Sequence, residues 1–207
     1  MDKAMHRISY GLFVVTASVG GRDNGCITNT LAQVTSSPER VSLCVAKSNL
    51  THDMIMSAGV FTASVISTDA DFGLFKRFGY QSGRDTDKFA SFAGCTRAAN
   101  GAYAITEGTN AYICGRVIQT VDLGTHTMFI ADVTDAQVLS DTPSATYEYY
   151  QKNIKPAPEA VGTAPDGQTI WRCRICGYEY VGEELPEGFE CPVCKHGAED
   201  FEKIVQN

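Results

Sequence analysis

The chain has 207 residues, 43% hydrophobic and 20% charged, and carries a formal net charge of −7. That length accommodates one sizeable domain and one small one, and no apolar run of about 18 residues is present to span a membrane. Residues 166–207 hold 4 basic and 9 acidic side chains, a net of −5. Such a segment argues against nucleic acid as the main partner; it suits docking on a basic patch of another protein, or simply solubility. The N-terminal MDKAMHRISYGLFVVTA lacks a basic n-region, a clean apolar core and a small-residue cleavage site, so no signal peptide and a cytoplasmic location are expected.

In chain order, residues 1–150 read mostly as strands. GLFVVTAS (11–18) is β-branched, GGRDNG (20–25) is a turn cluster ending in the hairpin signal Asn-Gly, and CITNTLAQVTS (26–36) continues as strand until Pro38. RVSLCVAK (40–47) is a further strand, SNLTHDMIMSAG (48–59) a short helix with a polar start, and VFTASVIS (60–67) a strand again. DADFGLFKRFG (69–79) is a second helix closed by Gly79, followed by the polar YQSGRDTDKF (80–89). Two long strands lie around 111–124 and 125–140. About six strands with two or three helices predict a mainly β protein, an antiparallel barrel with peripheral helices.

From Gln151 the composition changes. QKNIKPAPEAVGTAPDGQT holds three prolines, two glycines and almost no large apolar residue, and reads as a linker. The expected division is a barrel domain over 1–150, a linker over 151–168 and a small domain over 169–207.

The small domain carries half of the eight cysteines. Cys173-x2-Cys176 and Cys191-x2-Cys194 place two thiols on each of two tight turns, and four sulfurs suit a tetrahedral metal site. Spacing leaves zinc and iron both open, and about 40 residues need such a staple to fold. The flanking residues are more specific. Cys176-Gly177-Tyr178 and Cys191-Pro192-Val193-Cys194, with Trp171 before and Phe201 after, resemble the rubredoxin family over residues 170–204. The gap between the pairs is closer to the short knuckle attached to rubrerythrins. The resemblance implies one iron on four cysteines, shielded by aromatic side chains.

Residues 1–150 contain no G-x-G-x-x-G, P-loop, H-E-x-x-H or G-x-S-x-G pattern. Short polar residues cluster instead in Thr28–Pro38, Ala46–His52 and Phe78–Phe89, and the first of these offers an alternating strand. Hydroxyls, a basic residue and a helix start are what a phosphate monoester asks for, though Ser and Thr at strand ends are also ordinary turn chemistry. Together NTLAQVTSSP, SNLTH and SGRDTDKF resemble the flavin reductase-like, FMN-binding split-barrel family, from about Ser9 to Leu139. The resemblance implies a homodimer with FMN at the subunit interface, reduced directly by NADH or NADPH. Carried over by position, it implies Asn29, Thr30, Gln33, Val34 and Ser36 along the flavin ring and ribityl chain. It likewise implies Lys47, Ser48, Asn49 and Thr51 at the ribityl and phosphate, with Ser82, Gly83, Arg84 and Lys88 near the phosphate end. His126 in GTHTMFI is the candidate catalytic residue beside the nicotinamide; the other reading is a half-exposed strand histidine packed on a hydroxyl neighbour. Cys26, Cys44, Cys95 and Cys114 are scattered singly and read as small buried hydrophobes.

The combination of the two domains resembles the high-molecular-weight rubredoxins of anaerobic bacteria. That resemblance implies an electron-transfer protein in which NAD(P)H reduces FMN, FMN passes single electrons to the iron, and a redox partner receives them. The implied partner is a flavodiiron protein that reduces dioxygen or nitric oxide. Two other readings stand beside it: a flavin reductase supplying reduced FMN to a monooxygenase, with a structural zinc knuckle, and a non-enzymatic zinc-ribbon interaction module.

Overall fold

Gly20 and Gly21 make the first reversal of the chain in the computed structural model, which describes residues 7–156, 169–174, 178–191 and 197–204. Both have positive φ, +58° and +81°, as the centre of a two-residue hairpin of matching twist requires. They join β1 (Phe13–Val19) to β2 (Arg22–Thr28), with Val19 paired to Arg22. The Asn-Gly signal is therefore corrected: Asn24 and Gly25 lie inside β2, opposite Ala17 and Thr16. Gly25 serves close packing there, since a Cβ would sit 3.1 Å from the Phe78 ring and 3.2 Å from Thr16.

The expected strand over 26–36 is divided at Asn29–Thr30 into β2 and β3 (Leu31–Ser36). The Thr30 hydroxyl, which donates to the Cys44 carbonyl at 2.7 Å, pins the break. Then follow β4 (Glu39–Ala46), β5 (Val60–Ile66), β6 (Cys95–Arg97), β7 (Tyr103–Ile105), β8 (Thr109–Asp122) and β9 (His126–Val138). Seven of them form one antiparallel sheet in the order β2-β1-β5-β8-β9-β4-β3, so consecutive strands β2 and β3 are its two edges. This is a split antiparallel barrel. The short β6–β7 pair, a separate two-stranded sheet, has too little apolar periodicity to be read from the sequence.

Burial explains the strand sequences. In β4 the residues Val41, Leu43 and Val45 face inward and alternate with more accessible ones. In β1, Val15 and Ala17 join the central core with Leu43, Ile55, Phe61 and Phe129, whereas Val14 and Leu12, which precedes the strand, join a second core with Phe75 and Phe78. A strand buried on both faces reads as a continuous apolar run.

Helix α1 (Leu50–Ala58) starts where the Asn49 side chain accepts the Thr51 N–H at 3.0 Å, and stops at left-handed Gly59. Helix α2 (Phe72–Gly79) is capped by Asp71 and buries Leu74, Phe75 and Phe78. Helix α3 (Tyr147–Tyr149) continues as one π turn over Tyr150–Ile154, and Tyr150 stacks on Phe75 at 4.3 Å between ring centres. The expected start of the linker at Gln151 thus falls within helical chain, and the backbone divides into units Met1–Lys155 and Pro156–Asn207.

The second unit contains β10 (Ile170–Cys173), β11 (Glu179–Val181) and β12 (Phe201–Ile204), ordered β11-β10-β12 and antiparallel. Among the described residues, no helix is long and apolar enough to cross a membrane.

Candidate functional site

The start of α1 is held from two sides. From β2, Asn24 is 2% exposed and donates its amide to the Thr51 hydroxyl at 3.0 Å. From the 82–84 turn, Arg84 reaches the Asp53 carboxylate at 2.8 Å, and Arg22 donates to the Gly83 carbonyl at 2.7 Å. Gly83 allows the turn to lie against Asn24: a Cβ there would be 2.1 Å from Asn24 Oδ1. His52 completes the assembly from inside, with Nδ1 3.1 Å from Asp53 and Nε2 2.9 Å from the Thr127 hydroxyl of β9. The hydrogen bond to His52 and then the one to Arg84 hold the Asp53 carboxyl below its usual range. Asn49→Ala removes the cap and is expected to lower the stability of this unit by about 1 kcal/mol, read as a shift in urea midpoint at constant slope.

Lys47 precedes this start. Its N–H donates to Thr125, and its ammonium lies 2.7 Å from the Asp122 carboxylate at the β8–β9 tip. Ser48 is exposed beside it. His126, expected near a nicotinamide, pairs with Ala46 across β4–β9, is exposed, and places Nδ1 2.9 Å from the Thr125 hydroxyl. It therefore flanks Lys47.

Asn29 and Thr30 stand half-buried at the β2–β3 break, whereas Gln33, Val34 and Ser36 run along the exposed edge strand β3. The register shifts between Gln33 and Thr35, so Val34 is a bulge and is 48% exposed. This edge offers an apolar side chain and unpaired strand groups to a flat ring or a second chain.

Two residues lie deeper than the family positions implied. The Thr51 hydroxyl is fully buried and already accepts from Asn24. Lys88 is 3% exposed, and its ammonium donates to the carbonyls of Gly25 at 2.8 Å and Phe78 at 3.2 Å. Burial pushes Lys88 down to about 8. An amine so committed ties β2 to the C-terminal end of α2 beneath the 82–84 turn. Sequence reasoning missed Asn24, His52, Asp53 and Asp122, because each gains its role from a partner 27 or more residues away or from a neighbour's charge. Of the scattered thiols, Cys26 and Cys114 are buried while Cys44 and Cys95 are partly so, and burial raises all four.

In the second unit, Cys173 and Cys191 are 1% and 0% exposed and share one cluster with Phe201; Trp171, Tyr178, Leu185 and Phe189 pack against it. Cys173 ends β10, and its N–H donates to the Tyr178 carbonyl at 2.8 Å. Cys176 and Cys194 lie outside the described residues. Sulfur donors in an apolar, aromatic shell fit a tetrahedral iron or zinc ion and exclude the oxygen-loving cations.

Known proteins match both units of the chain. The flavin reductase like domain matches residues 5–158, and the rubrerythrin, rubredoxin-like domain matches residues 171–202. A high molecular weight rubredoxin of Moorella thermoacetica is 36% identical over 98% of this chain and 99% of its own length. A ferric-chelate reductase (NAD(P)H) of Archaeoglobus fulgidus is 35% identical over 72% of this chain and 87% of its own. Among solved structures, an NADH:FAD oxidoreductase of Streptomyces globisporus superposes with a TM-score of 0.61 over 70% of this chain and 88% of its own, at 22% identity, a likeness of fold. The sequence is thus matched almost from end to end, and the chain belongs to the flavin reductase-like oxidoreductases with a C-terminal rubredoxin-like domain, the family of the high molecular weight rubredoxins.

Proposed function

We propose that the protein oxidises NAD(P)H and delivers the electrons singly to a partner protein, through FMN in the barrel unit and an iron on Cys173, Cys176, Cys191 and Cys194. The observation that carries the reading is the capped start of α1, with Lys47, Ser48 and Arg84 grouped around it, in a chain that also buries cysteines suited to a metal. The names of the Archaeoglobus and Moorella relatives agree with it. A bound flavin supplies the exchange between the electron pair of a hydride and the single electrons that one iron accepts.

The residues of the chain bind and orient. Lys47, Ser48, Asn49 and Arg84 would hold the phosphate, favoured by the positive end of α1. Asn24 and Gly83 position that helix start beside the turn. Asn29, Thr30, Gln33, Val34 and Ser36 would line the ribityl chain and ring along β3. His126, next to Lys47, would face the nicotinamide. The exposed, unpaired β3 edge would be covered by a second copy of the chain, giving a homodimer with the flavin at its interface.

In the second unit, Trp171, Tyr178, Phe189 and Phe201 keep water from the sulfurs, which limits reorganisation and tunes the potential. The segment from 156 to 168 would tether the units at an effective concentration of about millimolar. Glu183, Glu184, Glu187 and Glu190 are exposed between β11 and Cys191 and suit a basic face on the acceptor, which we take to be a flavodiiron protein reducing dioxygen or nitric oxide.

The test is an anaerobic preparation analysed for metal and followed by visible spectroscopy. Iron is expected, and NADH should bleach both the flavin and the ferric–sulfur absorption. Zinc throughout, or bleaching of the flavin alone, would remove the relay and leave a flavin reductase with a structural knuckle.

A further inference from the structure

The cations grouped around the start of α1 are all committed. Lys47 sits 2.7 Å from Asp122, Arg84 2.8 Å from Asp53, and the Lys88 ammonium is spent inside on two carbonyls. A phosphate arriving at this place meets positive charge that is already balanced. The Lys47–Asp122 pair bridges two elements, linking the lead-in to α1 with the tip of the β8–β9 hairpin. The same Asp122 oxygen accepts the Gly124 N–H at 2.8 Å, which fixes where the carboxylate points. Gly124 has φ of +80° and makes the tip tight. Lys47 and Gly124 hold the Asp122 carboxyl below its usual range, so it is charged throughout the neutral region. The pair is exposed, with side chains 39% and 72% accessible, and an exposed pair is weak enough to exchange.

We propose that Asp122 is a latch on Lys47: it competes with the flavin phosphate for the ammonium, so that phosphate binding requires Lys47 to change partners, and it thereby sets how readily the phosphate end is released. The inference rests on the reading of Lys47 as a phosphate ligand. Asp122 need not touch the flavin; it acts through Lys47 and is a positioning residue. Arg84 is balanced by Asp53 in the same way, but Asp53 also holds His52, so the hairpin-tip aspartate is the cleaner one to change.

The experiment titrates FMN and riboflavin separately into flavin-free full-length protein, read by quenching of flavin fluorescence. Riboflavin lacks the phosphate and reports everything else in the site. Asp122→Asn, whose side-chain oxygen can still accept the Gly124 N–H, is expected to tighten FMN about two- to five-fold, the scale of one surface ion pair, and to leave riboflavin unchanged. The gain should fade toward ~1 M salt. Asp122→Glu, which keeps the charge, should stay at the wild-type FMN-to-riboflavin ratio. Lys47→Gln should weaken FMN selectively. If Lys47→Gln is selective but Asp122→Asn leaves the ratio unchanged, the latch is overturned while the phosphate site stands. Without selectivity in Lys47→Gln, the phosphate reading of Lys47 fails and takes the latch with it. An equal change in FMN and riboflavin for Asp122→Asn shows a structural role and also overturns the latch.

Discussion

Cys173→Ser is expected to abolish electron delivery to an acceptor protein while NADH still reduces the flavin. Cys173 is the last residue of β10, 1% exposed, opposite Phe201 of β12 and hydrogen-bonded through its N–H to Tyr178. An oxygen in that place is a poor ligand for a metal selected by sulfur. The described core of the unit is Cys173, Cys191 and Phe201 with four partly buried neighbours, and so small a core depends on its metal for folding. Even outer partners of a metal site cost about 10–100-fold when removed, so acceptor reduction should fall by more than ~100-fold together with the iron absorption. The barrel unit has its own core and should keep its flavin. Acceptor turnover that survived the substitution would mean that electrons leave directly from the flavin.

Gly83→Ala should damage the barrel unit at the point where fold and site meet. The added methyl would lie 2.1 Å from Asn24 Oδ1, a distance no packing tolerates. Either the 82–84 turn lifts, taking Arg84 from Asp53, or Asn24 rotates and loses Thr51. Overpacking costs about 1–3 kcal/mol, and a buried amide left unsatisfied costs about as much. The expected result is a loss of roughly 2–4 kcal/mol in urea unfolding with weaker FMN binding. Unchanged values for both would show that the turn moves independently of β2, and that Gly83 does not hold Arg84 at the helix.

The difference between those two sites in legibility is physical. The proposed cysteine ligands stand in two local motifs, and each C-x-x-C needs only a tight turn to bring its own two thiols together. The flavin-side residues are assembled across the barrel. NTLAQVTSSP, SNLTH and SGRDTDKF were recognisable as segments, yet no local feature says that Lys88 turns inward to Gly25 and Phe78. In the sequence Asn24 reads as a turn residue, because Asn-Gly so often is one. Two adjacent glycines with positive φ took the hairpin instead, which left Asn24 in β2, free to hold Thr51.

By itself the amino-acid sequence determined that this chain joins a mainly β domain to a small four-cysteine one, because strand alternation, breaker residues and cysteine spacing are short-range patterns. The flavin reductase-like and rubredoxin-like identities came from the resemblance of NTLAQVTSSP, SNLTH, SGRDTDKF and the residues flanking the cysteines to those families. Tertiary structure alone decided which polar groups are spent and which remain available. Pairings such as Lys47 with Asp122, 75 residues apart, or Asn24 with Thr51, 27 apart, follow from strand order and register; burial makes the Asn24–Thr51 bond costly to leave unmade, whereas the exposed Lys47–Asp122 pair stays weak.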